Sequence, residues 1–113
     1  MEIVPIVTRI VTPELLSDLE ALFDSNDVTR RCWCMWFIIP VKAYHAGGGE
    51  ENRLRFEGLA ASSPEPMGVL AYVDGRPVGW CAVGPRRRYA RAILTPTCRG
   101  RDPGEDDSVW LVP

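Results

Sequence analysis

Apolar positions in this chain fall into two runs of strand length, one helical stripe and one dense aromatic block. Val69-Leu70-Ala71-Tyr72-Val73 and Val78-Gly79-Trp80-Cys81-Ala82-Val83 are β-branched, aromatic or small apolar runs of strand length, separated by Asp74-Gly75-Arg76-Pro77. That separator has turn chemistry, so the segment predicts a β-hairpin, with Pro77 at the mouth of a strand. Gly79 inside the second run marks a bulge or a close approach of another group. Neither run alternates cleanly with polar residues, which predicts a sheet covered on both faces and helices on both sides of it. Upstream, Leu15, Leu16, Leu19, Leu22 and Phe23 lie at helical spacing with Glu14, Asp18, Glu20 and Asp24 mostly off the stripe. Thr12-Pro13-Glu14 in front of them supplies a cap residue, a proline for the first turn and an early acid.

The remaining elements are weaker. Ile6 to Ile10 reads as a first strand, kept to a sheet edge by Pro5. Ser25-Asn26-Asp27 ends the first helix, and Arg31-Cys32-Trp33-Cys34-Met35-Trp36-Phe37-Ile38-Ile39 follows, closed by Pro40. A block so rich in aromatic rings and sulfur is either buried or lines a pocket. Gly47-Gly48-Gly49 reads as a flexible joint, and Glu50 to Ser62 as a second helix weakened by Gly58. Ser63-Pro64-Glu65-Pro66 breaks the chain before the hairpin. Ser108 to Val112 reads as a last strand. Between hairpin and last strand come Arg86, Arg87, Arg88, Arg91, Arg99 and Arg101, then Asp102, Glu105, Asp106 and Asp107. Their basic and acidic halves read as a solvated loop, with an anionic ligand as the alternative.

The chain has 113 residues, 46% hydrophobic and 25% charged, which suits a single ordered domain. A net charge of −2 gives no general attraction to nucleic acid or anionic membrane. No apolar run has the length of a membrane span, and the start lacks the order of a signal peptide, so the expected location is the cytoplasm. Cys32, Cys34, Cys81 and Cys98 are then expected as thiols, with Cys81 packed in its strand as a small hydrophobe. One Cys-x-Cys with two isolated cysteines does not give the paired spacing of a zinc site, so no metal is expected.

Taken together, RCWCMWF at Arg31 to Phe37, the hairpin from Gly68 to Tyr89 and DDSVWLV at Asp106 to Val112 resemble the N-terminal half of the GNAT family of N-acetyltransferases, in particular a bacterial subgroup with an Arg-Cys-Trp-Cys-Met-Trp-like segment. The resemblance implies an α+β fold of the three-layer α/β type. It would be a partial acyl-CoA N-acyltransferase-like domain over residues 1–113, with a mainly antiparallel sheet and two N-terminal helices. It implies acetyl-CoA as co-substrate and a small-molecule or peptide amine as acceptor, the amine attacking the thioester carbonyl directly. By the same analogy Trp33, Cys34 and Trp36 line the acceptor pocket, with Arg86 nearby at the end of the hairpin. The family's Arg/Gln-x-x-Gly-x-Gly/Ala turn, whose amides hold the pyrophosphate at a helix N-terminus, is not present in the chain, which ends in the strand that would precede it. The unit is therefore expected to be incomplete, inactive alone, and paired as a homodimer through the sheet that later helices would cover. No general base follows from the sequence: His45 reads as a mobile surface histidine, and Cys34 has only Arg30 and Arg31 near it in sequence. Two other functions remain open, a non-catalytic self-associating module and a small thiol or metal protein using Cys32 and Cys34.

Overall fold

A computed structural model of the chain describes residues 3–96 and 108–113. Cys98, Arg99, Arg101, Asp102, Glu105, Asp106 and Asp107 of the sequence reading lie outside the described residues. The chain forms an α+β domain. Strand β1 (Val7–Ile10) leads through a short 3-10 turn (Pro13–Leu15) into helices α1 (Leu16–Asp24), α2 (Asp27–Cys32), α3 (Val41–Ala46) and α4 (Gly48–Ser62). The hairpin follows as β2 (Gly68–Val73) and β3 (Arg76–Ala82), then β4 (Gly84–Pro85), 3-10 turns at Arg86–Arg88 and Ala92–Leu94, and β5 (Trp110–Leu111).

Among the described residues four helices replace the expected two. Ser25-Asn26-Asp27 does end α1, but Asn26 also starts α2: its extended backbone lets Oδ1 accept from the amides of Val28 at 2.8 Å and Thr29 at 3.4 Å. The glycine run is no loose joint either, since Gly47 alone separates α3 from α4 and Gly48-Gly49 form the first turn of α4. Pro13 sits where its missing amide hydrogen is harmless, whereas Thr12 makes no side-chain capping bond.

The sheet runs β1-β2-β3, all antiparallel. Asp74 (φ 50°) and Gly75 (φ 77°) turn the hairpin in two residues with positive φ at both, the geometry that matches the twist of the strands and that favours Asp-Gly. The ladder slips between Ala71↔Gly79 and Tyr72↔Pro77, so Val78 is a bulged residue beside Gly79. A Cβ at Gly79 would meet only the Ala71 Cβ at 3.6 Å, ordinary contact, so the bulge is what this glycine marks. The last strand does not join this sheet. Trp110 and Leu111 pair with Pro85 and Gly84 as a separate two-stranded ladder.

Leu70, Tyr72 and Trp80 share one face of the sheet and meet α1 and α4 over a core of Leu19, Phe23, Trp33, Met35, Phe56 and Met67. The Tyr72 hydroxyl donates to Asp18 of α1 at 2.8 Å. The opposite face corrects the expectation of a sheet covered on both sides. Ile10 is 59% exposed there, Cys81 is exposed rather than packed, and Val69, Ala71 and Val73 are only half-buried. Within the described residues the domain is therefore two-layered. No described helix is long and apolar enough to cross a membrane.

Candidate functional site

The aromatic block is where the chain departs most from regular structure. Helix α2 stops at Cys32, and Trp33 (φ 48°) and Cys34 (φ 56°) both adopt the left-handed conformation, which is unfavourable for side chains of this size. Packing holds them there. Trp33 is 2% exposed, edge-on to Phe23 with ring centroids 5.0 Å apart and tilted against Phe56 at 5.7 Å. Met35 is buried beside it, and its carbonyl accepts from the amides of Ile38 at 3.0 Å and Ile39 at 3.1 Å. The backbone reversal sends Trp33 and Met35 inward and leaves Trp36 and Phe37 outward. Trp33 is thus a core residue and not a pocket wall.

Cys34 lies under the hairpin, its sulfur accepting the Trp80 indole N–H at 3.0 Å. Burial pushes its thiol up to about 11, against the pull of that hydrogen bond and with neighbouring thiols adding to the rise. A thiol so placed is protonated at neutral pH and is no nucleophile. Cys32 and Cys34 share an open hollow of about 580 Å³ with Phe23, Thr29, Val78 and Trp80. No group of three or more His, Cys, Asp or Glu capable of holding a metal occurs among the described residues.

Trp36 is 37% exposed and opens a second feature. Its ring stands edge-on to Tyr44 (5.1 Å, 83°) and to His45 (6.4 Å, 73°), and those two are edge-on to each other (5.1 Å, 86°). The Arg91 guanidinium lies over the Trp36 ring, its Cζ 3.7 Å from the centroid, and Nη1 donates to the Trp36 carbonyl at 2.8 Å. Burial pushes the Tyr44 hydroxyl up to about 12, with Cys32 adding and Arg91 opposing, so the phenol stays neutral. His45, though exposed, is held in this cluster of rings rather than projecting alone.

Arg86 is buried and belongs to the β4–β5 ladder, where its amide donates to the Val109 carbonyl at 2.8 Å. The described part of the basic run, Arg86 to Arg91, is held by hydrogen bonds to the protein rather than being a solvated loop. Arg88 donates to the carbonyls of Pro66 (2.8 Å), Glu65 (2.9 Å) and Val83 (3.3 Å) and to Ser63 Oγ (2.9 Å), while Arg87 pairs with Glu65 at 2.8 Å. Of the four residues assigned to an acceptor pocket, three therefore share one loop but face three ways, and Arg86 stands on another element. The arginine that reaches the loop is Arg91.

Gly49, in the glycine run that opens α4, offers the pyrophosphate of the implied co-substrate no cradle. The one helix that opens on glycines is α4, and a Cβ at Gly49 would crowd the Arg30 carbonyl at 2.7 Å and Arg31 Cα at 3.3 Å. That glycine serves close packing against α2, and its surroundings are carbonyl oxygen, which repels an anion. No family model, curated protein or solved structure matches this chain.

Asn52 was not legible as a linchpin. It is fully buried, Nδ2 donating to the carbonyls of Arg31 (2.8 Å) and Tyr44 (3.4 Å) and Oδ1 accepting from Arg55 (3.3 Å), so it ties α2, α3 and α4 together behind the ring cluster. Its signal was its position, four before Phe56 and seven before Leu59 on the apolar face of α4. For Tyr44 and Arg91 no such signal exists, because they lie on separate elements.

Proposed function

We propose that these residues form the acceptor side of a GNAT-like acyltransferase domain, which transfers an acetyl group from acetyl-CoA to an amine. One observation carries the reading: the order strand, helices, antiparallel hairpin, with the aromatic loop fastened beneath the hairpin by the Trp80–Cys34 bond and opening outward at Trp36. That arrangement supports the reading, since rings beside a hollow suit the orienting of an amine-bearing molecule, and orientation is a large part of catalysis when two substrates must meet. Residues 1–113 alone are expected to give no one-to-one heat of binding with acetyl-CoA, since Gly49 in the glycine run of α4 offers the pyrophosphate no cradle. Joined to a segment with the family's glycine-rich turn and helix, they are expected to release thiol from acetyl-CoA in the presence of primary amines, with Trp36→Leu raising KM for the amine more than it lowers kcat. A hybrid that binds acetyl-CoA but releases no thiol with any amine would overturn the reading.

A second reading is favoured by the open sheet face of Ile10, Val69, Ala71, Val73 and Cys81, namely a module that associates with itself. Sedimentation equilibrium separates the two. A dimer abolished by Ile10→Lys without loss of the thermal transition supports association through this face, and a monomeric mass at all micromolar concentrations excludes it.

A further inference from the structure

Trp36, Tyr44 and His45 form a shelf of three mutually edge-on rings, and a cation already lies over the Trp36 ring. Three facts distinguish this from a simple tether. The backbone of the Arg91 segment is docked without the guanidinium, because the amides of Arg91 and Ala92 both donate to the Phe37 carbonyl, at 3.1 and 3.3 Å. Trp36 and His45 are open to solvent and Arg91 is only half-buried, and its guanidinium is held by the ring and by one hydrogen bond to the Trp36 carbonyl, neither of which carries the docking of the segment's backbone. Tyr44 and His45 also border an open hollow of about 440 Å³ with Asp27, Arg31 and Gly48, a volume within the ordinary range for small-molecule sites. Asp27, itself paired with Arg30, offers that hollow a carboxylate, and Arg31 offers it a guanidinium.

We propose that the Trp36–Tyr44–His45 shelf is a binding site for the guanidinium or ammonium group of a ligand, and that Arg91 occupies it as an internal stand-in. Aromatic faces attract such cations through the ring quadrupole, and the edge-on packing of Tyr44 and His45 holds the Trp36 ring in place. The rest of the ligand lies over the hollow, where Asp27 and Arg31 suit a molecule carrying charges of both signs. If acyl transfer is the activity, on which the word acceptor depends, the acceptor is a cationic molecule or peptide side chain of this class.

The experiment titrates the whole chain with Nα-acetyl-L-arginine amide and, in parallel, with Nα-acetyl-L-citrulline amide, which has nearly the same shape and carries no positive charge. The readout is the Trp36 indole N–H resonance, assigned by its loss in Trp36→Phe. The acetylated arginine amide is expected to shift that resonance with millimolar affinity and the acetylated citrulline amide to leave it unmoved. In Arg91→Met, which keeps the aliphatic stem, affinity is expected to tighten about tenfold if the guanidinium covers the ring roughly nine-tenths of the time, because an internal competitor reduces apparent affinity by the fraction of sites it leaves free. An unmoved resonance in both proteins, or equal shifts with the two amides, overturns the assignment. Should Arg91→Met fail to fold, the wild-type titration still decides between those outcomes. Charge-dependent binding without acetyl transfer in the hybrid would sink only the acyltransferase reading; transfer without charge-dependent binding would sink only the shelf.

Discussion

The Cys34 sulfur is covered by the hairpin and bonded by an indole, and that surrounding decides its chemistry. Its folded pKa of about 11 stands above the ordinary thiol value of 9.0. Between those two values the unfolded chain has released a proton that the folded chain still holds, so stability is complete below about pH 9 and falls as pH rises toward 11. Burial raises the hydroxyls of Tyr44, Tyr72 and Tyr89 in the same direction, which carries the loss further into alkali. Urea denaturation at neutral pH and at about pH 10.5 should show the decline, and Cys34→Ala should flatten its first part. A thiol reagent should modify exposed Cys81 well before Cys34. At Asn52 the issue is satisfaction of polar groups. Asn52→Leu leaves the Arg31 and Tyr44 carbonyls without their donor and should cost about 2–3 kcal/mol in denaturation; a loss below about 1 kcal/mol would mean that water replaces the amide.

Among the elements, the connection from α4 to β2 owes its shape to one side chain. Arg88 gathers the Ser63, Glu65 and Pro66 groups and Val83 into a single fan of hydrogen bonds, so Arg88→Met should lower stability by about 2 kcal/mol and speed hydrogen exchange at the Met67 and Val83 amides beside it. Unchanged exchange there would show that the prolines alone hold the segment. This clamp was invisible in the sequence because its partners are mostly backbone carbonyls, which every residue has. The stripe from Leu15 to Phe23 located α1, and Asp74-Gly75-Arg76-Pro77 located the hairpin, although Arg76 and Pro77 already belong to β3, since periodicity and turn chemistry are local. Helices α2 and α3 span six residues each, too few to display a stripe, and Asn26 looked only like a stop. Trp33 and Trp36 differ in neither type nor neighbourhood, yet one is core and the other surface. The left-handed pair at Trp33 and Cys34 reverses the chain between them, and nothing in the residue types announces a conformation that packing imposes.

At the level of the whole molecule, the apolar character of both hairpin strands was legible but its meaning was not, because composition does not say whether a face is covered or open. The described residues place α1 and α4 on one side only. Among the side-chain bonds that join the first half of the chain to the second are Asp18 to Tyr72, Cys34 to Trp80 and Trp36 to Arg91, partners 54, 46 and 55 residues apart. All three span the Gly47–Gly48 junction, where Gly48 is exposed and a side chain would meet nothing within 4 Å. The domain is therefore expected to be divisible at that point into two fragments, 1–47 and 48–113, that recognise each other through the shared core. Co-expressed with different tags they should co-purify and recover the near-ultraviolet signal of the intact chain, whereas Phe23→Asp in the first fragment should abolish the pairing. Were that so, the core that makes this a single domain would also serve as a split-reporter interface, switched on by whatever brings the two halves of the sequence together.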